Sequence, residues 1–499
     1  MRKAKLFIIN VAILTSTSFI MQTIGITFSV YISNKIGSES IGLFQLIMSV
    51  YAFFITIATS GINLASTRVV SEQIACNNKP GAKKAAKQAI FYSFCFGIIA
   101  CILLCILSNF IVNVCLHNKI TTLPLYIIAV SLPFISMSAA INGYFSAVRK
   151  VFKTASSQIL EQLIKIIITC SLLYFLLPKG LEYACICLVI GTCLSEAFSF
   201  IYVYILYKLE QRKNNICIKN ENSYKKDIFT ICIPIAITSY IRSGLSTIKQ
   251  LMIPLRLEKS GLSCEQALSK YGLISGMTLP ILLFPTVFIN AFSSLIIPEF
   301  SSIFVTKNYK RIKTLTEKIF KYILLFSTCI FGIFLIFSDE LSQIIYNNNE
   351  VGKYLLYLSP VVIIMYLDTI VDGMLKGLNE QVNVMKCNIL DLFVSISFIY
   401  FLLPIYSING YIAIIYISEL LNGFISIRQL KKVTKFKIKF FSWIIMPIGI
   451  CLLARYILLL INISIINAYT LIINIILFIL IYILLLILTS CITKKDLRI

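Results

Sequence analysis

Long apolar runs constrain this chain more than any other feature. Stretches at 6–32, 89–116, 164–178, 383–404 and 468–492 hold few charges or none. The hydrocarbon core of a bilayer takes about 20 residues of helix to cross, and roughly fourteen runs of that kind recur along the 499 residues. Composition agrees, because only 13% of the residues are charged, against about 25% in a soluble domain. The expected fold is an all-α integral membrane protein of about 14 transmembrane helices.

The net charge of +24 raises the question of nucleic acid, and the placement of the cations answers it. They cluster at Arg2, Lys3 and Lys5, at Lys79 to Lys87, at Arg149, Lys150 and Lys153, and at Arg212 to Lys226. Further clusters run from Lys307 to Lys321, Lys376 to Lys386, Arg428 to Lys439 and Lys494 to Arg498. These are alternate loops, and Lys and Arg in short loops stay cytoplasmic during insertion. A multi-pass protein of the cell (cytoplasmic) membrane with both termini cytoplasmic follows, and no nucleic-acid partner is needed to explain the charge. The run at 6–32 exceeds the roughly 7–15 residues of a signal peptide core and has no A-x-A site after it, so it reads as the first membrane helix. The 16 cysteines lie mostly within spans, as with Cys101, Cys105, Cys185 and Cys187, and His117 is the only histidine. This spacing supports no zinc site and no disulfide framework, so no metal is expected.

The chain also repeats itself. Laid without a gap, "NGYFSAVRKVFKTASSQILEQLIKIII" (142–168) and "DGMLKGLNEQVNVMKCNILDLFVSISF" (372–398) align Gly143 with Gly373, Ala147 with Gly377 and Glu161 with Asp391. "SGINLASTRVVSEQ" and "NAFSSLIIPEFSS" align Glu72 with Glu299 at an offset of 227, and Ser195-Glu196 pairs with Ser418-Glu419. The expected organisation is a six-helix lobe over 1–210, a cytoplasmic linker over 211–226, a second six-helix lobe over 227–432, and two extra helices with a short tail over 433–499. Six is even, so the repeats are parallel, related by an axis along the membrane normal, with a central cavity between the lobes.

The helix that opens the second half carries charge. Arg242, Lys249 and Arg256 are spaced by seven residues, which keeps them on one helical face over about 21 Å. A cation near mid-bilayer costs about 2.5–3.5 kcal/mol and needs water or a partner. Subtracting 227 leads to Thr15, Gln22 and Ser29, all polar and all on the first helix. These six are the candidate substrate-binding residues, although Arg256 also suits snorkelling to headgroups. The acids within spans are Glu161, Glu196, Asp368, Asp372, Asp391 and Glu419. Ion coupling and locking of the lobes stay open for all of them. Glu161 also has Lys165 four residues on, the order that suits a local helix pair, whereas Glu196 and Glu419 have no opposite charge nearby in sequence. Pro133, Pro234, Pro254, Pro280, Pro285 and Pro360 are expected to break or kink helices.

"GINLASTRVVSE", "NGYFSAVRK" and "SQILEQLIK" resemble signatures of the polysaccharide and oligosaccharide exporters in the multidrug/oligosaccharidyl-lipid/polysaccharide superfamily, with lipid II flippases as more distant relatives. The resemblance covers essentially the whole chain. It implies a transporter, not an enzyme: a flippase moving an undecaprenyl-pyrophosphate-linked saccharide, a cell-wall peptidoglycan or spore-cortex precursor, to the outer leaflet by alternating access. It also implies a cationic cavity for the pyrophosphate, and a groove on the last two helices for the lipid tail. Lipid II flippases carry arginines on the first helix, whereas 6–32 here offers Gln22 and no arginine. The alternative is a multidrug or cation antiporter of the same superfamily, which wants an acidic cavity. No cofactor is expected, the coupling ion (H+ or Na+) is open, the partners are the lipid-linked saccharide and membrane lipids, and the protein is expected to be a monomer.

Overall fold

The computed structural model describes residues 2–59, 61–115, 122–176, 181–213, 223–461, 467–489 and 491, the side chains of 2–15 and of a few segment ends excepted. Contacts divide it into two compact units, Met1–Gly272 and Leu273–Ile499. The first holds α1 (Arg2–Thr59), α2 (Ile62–Ala75), α3 (Lys79–Cys115), α4 (Leu123–Ala129) and α5 (Leu132–Ala147). It continues through α6 (Val151–Leu176), α7 (Leu181–Lys213), α8 (Lys225–Glu258) and α9 (Cys264–Tyr271). After a π-helical turn at Gly272–Thr278, the second unit holds α10 (Leu279–Leu283), α11 (Thr286–Val305), α12 (Tyr309–Tyr346) and α13 (Asn349–Leu358). It closes with α14 (Val361–Gly377), α15 (Gln381–Thr434), a π-helical turn at Phe441–Ile445, α16 (Met446–Ile461) and α17 (Ala468–Leu488).

Among the described residues, eleven helices are long and apolar enough to cross a membrane, and the pair α13–α14, bent by 59°, makes a twelfth span. Two of the eleven are double. The 58 residues of α1 would measure about 87 Å if straight, far beyond a hydrocarbon core of about 30 Å. Gly37, at φ 76° and ψ 171°, divides them into arms at 2–36 and 38–59. In α15 the break is Ser407. There the Ser395 and Ser418 hydroxyls meet at 3.1 Å although 23 residues separate them, so the two arms fold back on each other. With each arm counted, the spans number the expected fourteen.

The repeat is visible in backbone detail. Asn77 and Lys307, 230 residues apart, end their helices in the left-handed region at φ 56° and 55°, and Arg149 and Asn379 do so at 60° and 65°. Side chains other than glycine adopt this region at a cost of about 1–2 kcal/mol, so matching occurrences mark matched helix ends. The glycines of the repeat fill one role as well. A Cβ on Gly143 would lie 2.6 Å from the Asn63 carbonyl oxygen and 2.8 Å from the Ser66 side chain; on Gly373 it would lie 2.1 Å from Ser293 Oγ. Ser293 is Ser66 shifted by 227. Each glycine thus lets α5 close on α2, or α14 on α11, as small residues do between membrane helices. The two sites should tolerate alanine unequally. Gly143→Ala meets a backbone carbonyl that cannot yield and should destabilise by about 1–3 kcal/mol, whereas Ser293 can rotate away from Gly373→Ala. Equal thermal unfolding of the two variants in detergent would contradict that reading.

The core of the first unit is built from small side chains. Ala82, Ala85, Ala86 and Ala89 form an i, i+3, i+4, i+7 stripe on α3, packed with Ala65 and Val69 of α2, Ile141 and Phe145 of α5, Val203 of α7 and Cys232 of α8. In the second unit α12 packs on α16 and α17 through Phe337, Cys451, Phe478 and Tyr482, with the Tyr482 hydroxyl 2.7 Å from Thr328 Oγ1. Pro133, Pro280, Pro285 and Pro360 sit at helix starts, whereas α8 runs through both Pro234 and Pro254. The turn between α5 and α6 is tied to the end of α7, where Lys150 and Lys153 pair with the buried Glu210, the latter at 2.8 Å. At the matching turn between α14 and α15 the polarity is reversed, and Glu380 accepts from Gln429 Nε2 at 3.0 Å.

Contacts place α8 and α9 in the first unit, whereas the sequence repeat sets its boundary at the 211–226 linker. The reason is the way α8 is held. Thr247 Oγ1 donates to the Ser49 carbonyl at 2.9 Å, Thr56 Oγ1 donates to Ser243 Oγ at 3.1 Å, and the Tyr240 hydroxyl donates to the Ile57 carbonyl at 3.2 Å. Bonds between membrane helices are worth about 0.6–2 kcal/mol each, and these three fasten α8 to the 38–59 arm.

Candidate functional site

The same bonds orient the cations. Ser243, Thr247 and Tyr240 define the side of α8 that packs on α1. Arg242, Lys249 and Arg256 lie roughly 130–175° round the helix from that side, counting 100° per residue. Arg242 is exposed, and Lys249 and Arg256 are half-buried. Arg242 therefore stands off the side of α8 that bonds to α1, while Lys249 and Arg256 are partly covered and have interactions of their own. Gln22 and Ser29 are half-buried on the 2–36 arm of α1, and the side chain of Thr15 lies outside the described part. On that arm the Thr23 and Thr27 hydroxyls donate to the carbonyls of Phe19 and Thr23, each at 2.9 Å.

A second polar face was not anticipated. Asn63, Thr67, Arg68 and Ser71, together with the exposed Leu64, line an open cleft of about 440 Å³ on α2. Arg68 Nε donates to Glu72 at 3.0 Å, and Thr67 Oγ1 donates to the Gly143 carbonyl at 3.1 Å. The signal was present as the spacing Asn63, Thr67, Ser71, four residues apart within "SGINLASTRVVSEQ".

The acids fall into two groups that follow the repeat. In the first unit Glu161 of α6 has Ser199 and Glu196 of α7 within hydrogen-bonding reach, and Lys165 acts on both carboxyls. This corrects the expectation for Glu196: its opposite charge comes from the neighbouring helix, where sequence spacing could not reveal it. In the second unit Asp391 accepts from Ser418 Oγ at 2.6 Å, and Ser418 is in turn bonded by Ser395. Ser395 occupies the repeat position of Lys165, so hydroxyls stand in the second unit where a cation stands in the first. Asn422 Nδ2 donates to Asp368 Oδ2 at 2.8 Å, and Asp372 lies beside Asn388. The Ser426 hydroxyl lies within hydrogen-bonding reach of the Asp368 carboxyl, and Asp368 Oδ1, Asp372 Oδ1 and Asn422 Oδ1 are buried without a hydrogen-bond partner. So are Ser138 Oγ and Asn142 Oδ1, which sit at the positions of Asp368 and Asp372 in the first half. Such atoms are rare in folded proteins. Glu419 has interactions of its own. Among the described residues no three His, Cys, Asp or Glu side chains are gathered as a metal ion would require.

Fourteen spans, an internal repeat and a polar column on a spanning helix define a multi-pass helical membrane protein. Two sets of solved structures share its fold: a lipid II flippase MurJ in an inward closed conformation, with TM-score 0.69, 15% identity, and coverage of 97% of this chain and 99% of that one; and an inward-facing MATE-family multidrug transporter of the MOP superfamily, with TM-score 0.65, 12% identity, and coverage of 84% and 96%. Residues 7–304 match the polysaccharide biosynthesis protein family, and the chain belongs to it. Among its relatives, stage V sporulation protein B of Bacillus subtilis is 22% identical over 75% of this chain and 73% of its own length. The lipid II flippase MurJ of the same organism is 24% identical over 84% and 81%. These relatives and structural neighbours include flippases and transporters, and none of them is named as an enzyme.

Proposed function

We propose that this chain is a flippase for an undecaprenyl-pyrophosphate-linked saccharide, a cell-wall or spore-cortex precursor, acting from the cytoplasmic to the outer leaflet of the cell membrane. The observation that carries the reading is the column of Arg242, Lys249 and Arg256 on one face of α8, away from the side that bonds to α1. Burying an isolated anion in hydrocarbon costs many kcal/mol. Guanidinium and ammonium groups on a spanning helix replace the water a pyrophosphate loses, and arginine adds a bidentate fork. The hydroxyl, amide and guanidinium groups of Asn63, Thr67 and Arg68 suit a saccharide, and exposed leucines of α16 and α17, among them Leu453, Leu460 and Leu484, suit its polyprenyl tail. Gln22 and Ser29 add neutral hydrogen-bonding groups. A cation antiporter fits less well, because this column repels cationic drugs. Coupling to H+ or Na+ is assigned to the buried oxygens of Asp368, Asp372, Asn422 and Ser426, a set of hard donors. The protein works as a monomer with both termini cytoplasmic.

The test is reconstitution into vesicles with a fluorescent lipid-linked saccharide in the inner leaflet. Protein-dependent exposure of the label to an external quencher is the expected result. Efflux of a cationic dye without saccharide movement would favour the antiporter instead.

A further inference from the structure

A second amphipathic site lies in the first unit, where α3 and the start of α8 form a cleft of about 350 Å³. This falls within the size range of ligand pockets, about 300–1,000 Å³. Its walls are Phe91, Tyr92 and Cys95 of α3 and Phe229 of α8; its mouth holds Gln88, Lys225 and Lys226. Phe91 and Phe229 are 61% and 49% exposed, so the apolar walls open outward. Both are held in place: Tyr92 stacks on Phe96 at 4.5 Å and meets Phe229 edge-on at 6.3 Å. Lys225 Nζ stands 5.9 Å from the centre of the Phe91 ring. The chain entering α8 is anchored as well. Gln88 Oε1 accepts from the Tyr224 backbone at 2.8 Å, and the Tyr224 hydroxyl donates to Gln73 at 3.0 Å.

The charges are arranged for one kind of ligand. Lys84, Gln88, Phe91 and Cys95 follow one stripe of α3, cation first and rings after. On α8 two lysines precede Phe229 in the same order. Asp227 lies about 100° further round α8 than Lys226 and does not line the cleft. Cations at the polar edge with an aromatic slot running into the apolar layer complement a headgroup bearing negative charge and an acyl chain beneath it. Basic pockets of this kind on the cytoplasmic side recognise anionic lipids.

We propose that this cleft binds an anionic glycerophospholipid of the surrounding membrane, its phosphate between Lys225 and Lys226 and an acyl chain between Phe91 and Phe229. The bound lipid braces the start of α8, the helix that bears Arg242, against α3. The site is separate from the cation column, and the proposal does not depend on what the protein transports.

The test uses the full-length protein reconstituted in phosphatidylcholine bilayers, with a photoreactive phosphatidylglycerol as probe. Crosslinks are expected on Phe91, Tyr92 or Phe229. Lys225→Gln/Lys226→Gln should weaken capture roughly thirtyfold, from about a factor of five for each cation near the surface. Lys79→Gln/Lys83→Gln removes the same charge from a face of α3 about 130° round from that stripe and should weaken it less than threefold. Crosslinks confined to other helices would overturn the proposal, as would equal losses in the two double variants, which would mean diffuse attraction to a basic surface. Displacement of the probe by an equal concentration of undecaprenyl pyrophosphate would also overturn it, giving the cleft to a polyprenyl lipid.

Discussion

Replacing Arg242 by Ala is expected to lower transport of the labelled lipid-linked saccharide roughly hundredfold, within the range of about 2–5 kcal/mol for removing one partner of a bound charge pair. Insertion and stability should be unchanged, because Arg242 is exposed and lies off the side of α8 that bonds to α1. Arg242→Lys should recover only part of the activity, since it keeps the charge and loses the bidentate fork. The measurement is initial flipping rate per inserted protein, with protein level read separately. Wild-type rates in the Ala variant would remove Arg242 from the substrate path. A loss that merely tracks degradation would make it a structural charge instead, and a charge-swap screen against Glu196, Asp368 and Glu419 would then look for its partner.

The second large effect concerns the crossing of α1 and α9. A Cβ on Gly42 would stand 2.2 Å from the Leu268 carbonyl oxygen, and a Cβ on Gly272 would stand 2.0 Å from the Ser38 carbonyl oxygen. Beside them the Ser38 and Ser269 hydroxyls share a hydrogen bond of 2.7 Å. Each glycine thus faces backbone of the opposing element, and neither obstacle can rotate away. Gly42→Ala and Gly272→Ala should each destabilise by about 1–3 kcal/mol. Because both act by separating the same two elements, the double variant should cost less than the sum. Thermal unfolding in detergent checks both statements. Parental stability in either single variant would mean that the backbones approach less closely than described.

Much of the fold was legible in the chain itself. Apolar length located the spans, since a bilayer imposes a minimum run whatever the neighbours are. The offset of 227–230 located the repeat, and paired positive-φ ends at Asn77 and Lys307, and at Arg149 and Asn379, carry it into the backbone. Helical spacing alone put Arg242, Lys249 and Arg256 on one face. The polar groups of Asn63, Thr67 and Ser71 were equally periodic, but that they share a cleft with Arg68 depended on how α2 packs.

What spacing could not supply were relations between helices. Lys165 of α6 acts electrostatically on Glu196 of α7, Ser418 reaches Asp391 only because α15 reverses at Ser407, and Lys225 meets Phe91 from another helix 134 residues away in sequence. The sequence by itself determined which segments enter the membrane, because transfer into hydrocarbon is decided residue by residue along one helix. Tertiary structure alone decided which polar groups meet and to which unit α8 belongs. Inside the bilayer, helix association rests on close packing and hydrogen bonds between surfaces, and those surfaces exist only once the helices are side by side.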